Sequence, residues 1–259
     1  MRKNKLRYGK IVADSYYPSE KNNGAVIIFC AGIPGKSNYL ELAKRYVDEG
    51  FTFIHPKYIG SWESYGNFSI TKCKETIISF VGGLKAGKIK TVFNNSFDVS
   101  PKKIFLVGHS FGGSIALSTG AELDIDGIVA LAPVVDYSVH AKDPNIREEN
   151  LSGLFDFMKF GFENTYRKMN KMEWDNFCET GIDVNPVDYV DNLRNKRILL
   201  IHGKNDNSVS CNRTKEFYEK LNSEKSVYKE TEDNHSRIKE NSIPAVISWI
   251  WKMENEGNS

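Results

Sequence analysis

Four short apolar runs, each without polar alternation, divide the chain into repeating segments. The runs are "AVIIFC" (25–30), "KIFLVG" (103–108), "GIVALAP" (127–133) and "RILLIHG" (197–203). Strands that are apolar on both faces are typical of a parallel sheet covered by helices on both sides. Each run therefore predicts a central strand.

Helical spacing of apolar residues recurs between and after these runs, over 37–49, 70–86, 110–122 and 242–255. Gly50 ends the first of these patterns, and Pro244 lies in the first turn of the last one. Both residues are typical of those helix positions. The alternation of strand and helix predicts an α/β fold with a mostly parallel, doubly wound central sheet flanked by helices. The length suits one large α/β unit as well as two small ones, and we expect residues 1–259 to form a single domain.

The segment 135–190 interrupts the alternation, because it contains no good strand pattern. It is rich in Phe, Met, Tyr and Trp at roughly helical spacing. We interpret it as a helical cap inserted between two core strands, because apolar clefts are lined in this way. The alternative is a pair of ordinary packing helices. The candidate wall residues are aromatic, and two of them lie before the segment: Tyr58, Trp62, Phe155, Phe160, Phe162 and Trp174.

Composition narrows the class of protein. Hydrophobic residues make up 40% of the chain, and 35 basic residues against 33 acidic ones give a net charge of +2. This balance argues against a nucleic-acid partner, which normally requires a clustered basic face. The basic N-terminus has no apolar stretch behind it, and no run is long enough to span a membrane. Four scattered cysteines indicate reduced thiols, so we expect a cytoplasmic protein.

The candidate chemistry begins at "GHSFGG" (108–113), which fits the pattern G-x-S-x-G around Ser110. The motif follows a predicted strand and opens a predicted helix, which is the context this pattern requires. Gly108 and Gly112 allow a tight turn that exposes the serine, and the helix N-terminus favours negative charge nearby. The alternative is a glycine-rich turn with an ordinary N-cap serine.

A serine nucleophile needs a base and an acid that orients the base. Among five histidines, His235 follows a plausible acid and lies in a polar loop before the last helix. Asp206 comes just after the strand 197–201, where ligand sites of open α/β sheets gather. Glu232 and Asp233 are rival acids, although they lie very close to His235 in sequence. His202 is expected to be structural, because it precedes the acid.

The negative oxygen of a tetrahedral intermediate needs two hydrogen-bond donors. We expect the backbone N–H of Phe111 to be one, since it follows the serine. The second is expected to be the N–H of Ile33 in the loop "CAGIPGKSN" (30–38), where Gly32 and Gly35 allow close approach. A simple Gly-Pro turn is the alternative.

Taken in order, "AGIPG", "GHSFGG", "HGKND" and "DNH" resemble the signatures of the α/β-hydrolase superfamily over residues 7–253. The chain looks most like small single-domain carboxylesterases, such as feruloyl (cinnamoyl) esterases and dienelactone-hydrolase-like proteins. "LAPVVDY" (131–137) and "HGKND" also give a weaker similarity to the catalytic domain of prolyl oligopeptidases. One departure is Ala31-Gly32, where many members have His-Gly.

The resemblance implies a serine hydrolase that cleaves carboxylic esters of small to medium acyl groups through an acyl-enzyme intermediate. Ser110, Asp206 and His235 would be its triad, with no metal and no organic cofactor. The expected partner is a small-molecule acyl ester, and homodimer formation is left open. Two alternatives remain, a single-domain peptidase or acyl-peptide hydrolase with the same triad, and a hydrolase fold that binds a ligand without catalysis.

Overall fold

A computed structural model describes residues 1–20, 22–97 and 99–256. The described residues form one sheet of nine strands. These are β1 (Arg2–Tyr8), β2 (Ile11–Tyr17), β3 (Ala25–Cys30), β4 (Thr52–Pro56), β5 (Lys90–Thr91), β6 (Lys103–His109), β7 (Gly127–Leu131), β8 (Ile198–Gly203) and β9 (Ser226–Thr231).

The strand order is β5-β1-β2-β4-β3-β6-β7-β8-β9. From β4 to β9 every neighbouring pair is parallel, and the pairs that involve β1 and β2 are antiparallel. The four apolar runs form β3, β6, β7 and β8 in the middle of the sheet, as their pattern predicts. The mostly parallel, doubly wound α/β prediction is confirmed.

Helices cover both faces of this sheet. They are α1 (Leu40–Asp48), α2 (Ile70–Lys85), α3 (Phe111–Gly120), α4 (Leu154–Gly161), α5 (Lys171–Thr180), α6 (Val190–Leu193), α7 (Cys211–Leu221), α8 (Ile238–Asn241) and α9 (Ile243–Glu256). The four predicted helical stretches correspond to α1, α2, α3 and α9, each within a few residues of its expected ends.

Strand β3 illustrates why its sequence lacks alternation. Val26 and Ile28 pack in the core cluster with α2 and α3, whereas Ile27 and Phe29 pack in the opposite cluster with α1 and α9. Both faces of the strand are therefore buried, and apolar residues are favoured at every position. The carboxyl ends of β3, β6 and β8 consequently meet at one edge between the two helical layers.

The segment 135–190 lies between β7 and β8 and contains α4 and α5. Three short 3₁₀ segments accompany them: Leu151–Gly153, Ile182–Val184 and Pro186–Tyr189. No strand occurs among these residues, all of which the structure describes. Trp174 and Phe177 on α5 are buried, and they extend the core cluster that contains α3.

All four cysteines are free; Cys30 and Cys73 are buried, and Cys178 and Cys211 are partly exposed. Burial raises the pKa of the Cys30 thiol, which therefore packs as a neutral apolar group. Among the described residues, no helix is long and apolar enough to cross a membrane.

Candidate active site

Ser110 occupies the turn between β6 and α3, with φ of 57° and ψ of −127°. Positive φ is costly for a residue with a Cβ atom, so surrounding packing must hold the turn in place. A Cβ on Gly108 would lie 1.9 Å from the carbonyl oxygen of Gly112, and one on Gly112 would lie 2.0 Å from that of Cys30. Only glycine fits at these two positions, which explains the small residues on either side of the serine.

His235 and Asp206 are hydrogen-bonded, with 2.7 Å between Nδ1 of the imidazole and Oδ2 of the carboxylate. Asp206 follows the end of β8, and His235 lies in the loop between β9 and α8. Because the carboxylate only accepts hydrogen bonds, Nδ1 carries the proton. In this tautomer of the neutral ring, Nε2 of His235 is the nitrogen that can accept a proton, as a general base must.

The Asp206 carboxylate is buried and accepts several hydrogen bonds. The backbone N–H groups of Ser208 and Val209 donate to Oδ1 at 2.8 and 2.9 Å. His202 Nε2 lies 3.2 Å from Oδ2, beside His235. Burial by itself would raise the pKa of Asp206, but hydrogen bonds from His202 and His235 outweigh it and hold the pKa well below its usual range. The carboxylate thus remains charged at neutral pH.

His202 is fully buried and orients the acid, a role that its place before Asp206 did not suggest. Its Nε2 faces two acceptors, Oδ2 of Asp206 and the carbonyl of Val209, so it must be the protonated nitrogen. Nδ1 lies 2.8 Å from the Thr214 hydroxyl, which can donate to it. This tautomer allows a neutral imidazole to hold the carboxylate in place.

His109 is a second histidine that sequence reasoning did not select, although it directly precedes Ser110. Its Nε2 lies 2.7 Å from the backbone carbonyl of His235, and the two imidazole rings are 4.8 Å apart. Burial and the neighbouring His235 lower the pKa of His109 to about 3, so it stays neutral and donates from Nε2. The turn that carries Ser110 is therefore joined directly to the loop of His235.

The N–H groups of Ile33 and Phe111 have no hydrogen-bond acceptor among the described residues. Phe111 is the first residue of α3, where the N–H has no partner within the helix. Both residues line the cavity in front of Ser110. Two residues of the cavity lining therefore have a backbone donor that no protein group in the described part of the chain occupies.

Three tyrosine hydroxyls fix the loop that carries Ile33. Tyr58 donates to the carbonyl of Ala31 at 2.7 Å, and the N–H of Gly35 donates to Tyr166 at 2.8 Å. The N–H of Lys36 donates to Tyr39 at 3.2 Å. Tyr166 belongs to the segment 135–190, so this segment contributes directly to the shape of the loop.

A cavity of about 210 Å³ lies in front of this turn, and Ser110 and His235 both line it. Its apolar wall is formed by Phe111, Val134, Tyr137, Leu151, Leu154 and Phe177. Within the described residues, no hydrogen bond joins the Ser110 hydroxyl to His235. Such bonds are often long before substrate binds, so this geometry is compatible with a nucleophile and its base.

The six aromatic residues expected in the wall do not line this cavity, and the prediction is corrected in that respect. Phe155 and Trp174 are buried against one another behind Phe177, and Trp62 packs on Phe162. Phe160 is 71% exposed to solvent. Tyr58 supports the cavity from behind, through its contact with the ring of Phe111.

The reason for this correction is that helical spacing predicts which face of a helix is buried but not which neighbour covers it. Leu151, Leu154 and Phe177 are the residues of the insertion that do reach the cavity. No pattern in the sequence distinguished them from the neighbouring aromatic residues.

The rival acids beside His235 have other partners. Glu232 accepts from Lys204 at 3.0 Å, and Asp233 accepts from the side chain of Asn241 at 2.6 Å. Neither is hydrogen-bonded to His235 in the described part of the chain. Asp206 is the acid that contacts the imidazole.

A buried ionic cluster anchors the loop that bears Asp206. The Glu148 carboxylate accepts two bonds of 3.0 Å from Arg213 Nε and one of 3.2 Å from the N–H of Ser210. His140 Nδ1 lies 3.3 Å from the same carboxylate. Burial opposes its ionisation, but these neighbours lower the pKa of Glu148 to about 2. The segment after β7 is thereby tied to the start of α7.

This sheet, with a serine at the turn after β6 and an aspartate and histidine after later strands, has the organisation of the α/β-hydrolases. The chain is a serine hydrolase of that fold. It belongs to the prolyl oligopeptidase family, whose model matches residues 88–251, more than half of the sequence. The α/β-hydrolase fold and the resemblance to prolyl oligopeptidases, both expected from the sequence, are confirmed.

Several solved structures share the fold over nearly their whole length. Est1E from Butyrivibrio proteoclasticus with bound ferulic acid has a TM-score of 0.67 and 18% identity, with coverage of 97% of this chain and 99% of Est1E. The esterase Pf2001 from Pyrococcus furiosus has a TM-score of 0.63 and 16% identity, with 98% and 88% coverage. The monoacylglycerol lipase of Paleococcus ferrophilus has a TM-score of 0.64 and 15% identity, with 94% and 99% coverage. No curated protein sequence matches the chain significantly.

Proposed function

We propose that this protein cleaves carboxylic esters through an acyl-enzyme intermediate formed on Ser110. The observation that carries the proposal is the shared cavity. It is lined by Ser110 with its strained backbone, by His235, which is bonded to Asp206 at 2.7 Å, and by Ile33 and Phe111, whose N–H groups have no acceptor among the described residues. These are the parts that acyl transfer requires.

In the proposed mechanism, Ser110 Oγ attacks the acyl carbonyl while Nε2 of His235 takes its proton. The N–H groups of Ile33 and Phe111 bind the resulting oxyanion, and Asp206 stabilises the imidazolium through Nδ1–H. His235 then gives the proton to the leaving alcohol as its C–O bond breaks. A water molecule, deprotonated by His235, attacks the acyl group and releases the acid and the free serine.

Two observations support esters rather than peptides. The structures compared above include an esterase, a monoacylglycerol lipase and Est1E with ferulic acid. The cavity, at about 210 Å³ with one apolar wall, suits a single small or medium acyl group. The segment 135–190 is proposed to act as a cap, since Leu151, Leu154 and Phe177 supply part of that wall.

A single domain, a small-molecule partner, no nucleic acid and a cytoplasmic location remain proposals that rest on the sequence. The net charge of +2 and the scattered lysines support the view that nucleic acid is not a partner. Homodimer formation stays open, and light scattering of the purified protein would decide it.

The direct test is hydrolysis of p-nitrophenyl esters of graded acyl length. We expect turnover by the wild type, with an optimum at short to medium chains, and only background hydrolysis by Ser110→Ala. Asp206→Asn should lower kcat by about 10⁴, the order of magnitude for loss of the correct tautomer. Persistent activity of Ser110→Ala would refute the assignment of the nucleophile.

The family match keeps a peptidase as the second candidate. Aminoacyl and peptidyl p-nitroanilides test it, and a higher kcat/KM on these amides than on short esters would favour a peptidase. A fluorophosphonate probe separates both enzymes from a binding module. Folded wild type that is not labelled at Ser110 would contradict catalysis of either kind.

A further inference from the structure

The rim of the cavity carries an asymmetric distribution of charge that ester hydrolysis itself does not require. Lys36 and Lys239 line the cavity beside Ser110 and His235, and Glu149 is the acidic residue in the lining. Two lysines and one glutamate thus share the lining of the cavity with apolar side chains. Charged side chains in such a place are candidates for recognition of a charged substrate.

Lys239 is mostly buried although it is charged. Its side chain is only 15% exposed; it donates to the carbonyl of Ser236 at 2.7 Å and lies 3.4 Å from the carboxylate of Glu240. That carboxylate is itself 44% exposed, so water competes for it. Partial burial of an ammonium group is unfavourable unless an anion compensates it. A carboxylate in the cavity would supply that compensation.

Lys36 has no carboxylate within ion-pair distance in the described part of the chain. Its backbone is held through the bond from its N–H to Tyr39, whereas its side chain is exposed to solvent at the mouth of the cavity. The ammonium group is therefore free to contact a ligand. It also needs no rearrangement of another ion pair to do so.

Both lysines lie close in sequence to the proposed machinery. Lys36 follows Ile33 by three residues, which limits the separation of their Cα atoms to about 11 Å. Lys239 comes four residues after His235, at the start of α8. Both lysines therefore belong to segments that also carry groups of the proposed machinery, and both line the same cavity.

We infer that the preferred substrates are esters that carry a carboxylate, which Lys36 and Lys239 bind at the rim. The proposal rests on the proposed ester hydrolysis at Ser110 and adds the charge of the substrate to it. The apolar wall of Phe111, Tyr137 and Phe177 would take the uncharged part. Half-esters of short dicarboxylic acids and acyl esters of hydroxybenzoic acids have this chemistry.

Two matched pairs of esters test the proposal. p-Nitrophenyl hemisuccinate against p-nitrophenyl pentanoate places the carboxylate on the acyl side. p-Carboxyphenyl butyrate against phenyl butyrate places it on the alcohol side. The readout is the ratio of kcat/KM for the anionic ester to that for the neutral ester, so a general loss of activity in a variant cancels.

We expect a ratio of about 10 or more in at least one pair for the wild type, and a decrease of about fivefold for each of Lys36→Met and Lys239→Met. The preference for the anionic ester should also weaken as salt is added.

Lys36→Glu, at an exposed position that tolerates change, should shift selectivity toward the cationic ester butyrylcholine. Lys215→Met is the matched control, because it removes an exposed charge on α7 outside the cavity lining.

The proposal would be overturned by ratios near one in both pairs, or by ratios that the lysine variants leave unchanged. Turnover of the neutral esters would in that case still support the proposed esterase. A wild-type preference for butyrylcholine would also overturn it, and would assign recognition to Glu149 instead. Absence of turnover on every ester would instead count against the proposed function itself.

Discussion

The strained backbone at Ser110 predicts that the Ser110→Gly variant is more stable than the Ser110→Ala variant. Comparing these two variants isolates the effect of the backbone, because both substitutions remove the hydroxyl group. Ser110 makes no side-chain hydrogen bond at the N-cap of α3, so neither variant loses a cap. With φ at 57° and ψ at −127°, a residue with a Cβ is strained, whereas glycine is not.

The magnitude follows from two opposing terms. Holding an L-residue at positive φ costs about 1–3 kcal/mol, and glycine avoids this cost. Its greater freedom in the unfolded chain offsets about 0.5–1 kcal/mol of the gain. We therefore expect Ser110→Gly to unfold with a free energy about 1 kcal/mol higher than Ser110→Ala. For a protein of this size, that is a Tm difference of about 2–4 °C.

The assay is urea unfolding and differential scanning calorimetry of the two inactive variants under identical conditions. The matched control is Ser118, a buried serine in the interior of the same helix. There Ser118→Gly should be less stable than Ser118→Ala by about 1 kcal/mol, because glycine is unfavourable within a helix. If Ser110→Gly were also less stable than its alanine partner, the argument from backbone strain would be refuted.

Three further predictions concern the surroundings of the site. His109→Phe keeps a ring of similar size but leaves the carbonyl of His235 unpaired, which costs about 1–3 kcal/mol of stability. In this variant, kcat on a neutral ester should fall about tenfold with little change in KM. His109→Gln should restore part of the lost kcat. Gly112→Ala places a Cβ 2.0 Å from the carbonyl oxygen of Cys30 in β3, so it should abolish cooperative folding as measured by calorimetry. Its control is Gly82→Ala on an open helix face, which should stabilise the protein by about 1 kcal/mol. Glu148→Gln should be destabilising at neutral pH when its urea midpoint is compared with that of the wild type. Ionised Glu148 has a folded pKa of about 2 against an ordinary value of 4.5, so its contribution is complete above pH 4.5 and is lost as the pH falls toward 2.

Each of these three predictions has an outcome that would contradict it. An unchanged kcat in His109→Phe would mean that the bond to the His235 carbonyl does not position the base. A normally folded Gly112→Ala would show that the elbow can relax away from β3. A Glu148→Gln difference that stays constant between neutral and acidic pH would mean that the carboxylate charge does not stabilise the fold.

Much of the fold was predictable because its signals are local. The runs of β3, β6, β7 and β8 are apolar at nearly every position, and a strand buried on both faces requires this whatever surrounds it. It was also predictable that Ser110, Asp206 and His235 would lie close together, because each of them follows a strand of the parallel part of the sheet. Parallel strands place the residues after their carboxyl ends at one edge of the sheet.

The surroundings of these three residues depended on contacts between distant segments. His109 donates to a carbonyl 126 positions away, and the ring of His202 is held by the hydroxyl of Thr214 on α7, 12 positions along the chain. A histidine pattern in the sequence does not reveal the partner of its ring nitrogens. Only the folded chain brings those partners within bonding distance.

The aromatic-rich segment 135–190 shows most clearly what the sequence determined and what only the tertiary structure decided. Its sequence indicated that 135–190 is helical, because its apolar residues recur at helical spacing. The spacing did not decide which large side chains are buried, since Phe160 is exposed to solvent. The tertiary structure decided that Phe177 faces the cavity while Trp174 packs behind it. Helical spacing depends on the local sequence alone, whereas burial and contact with a cavity depend on the positions of neighbouring segments.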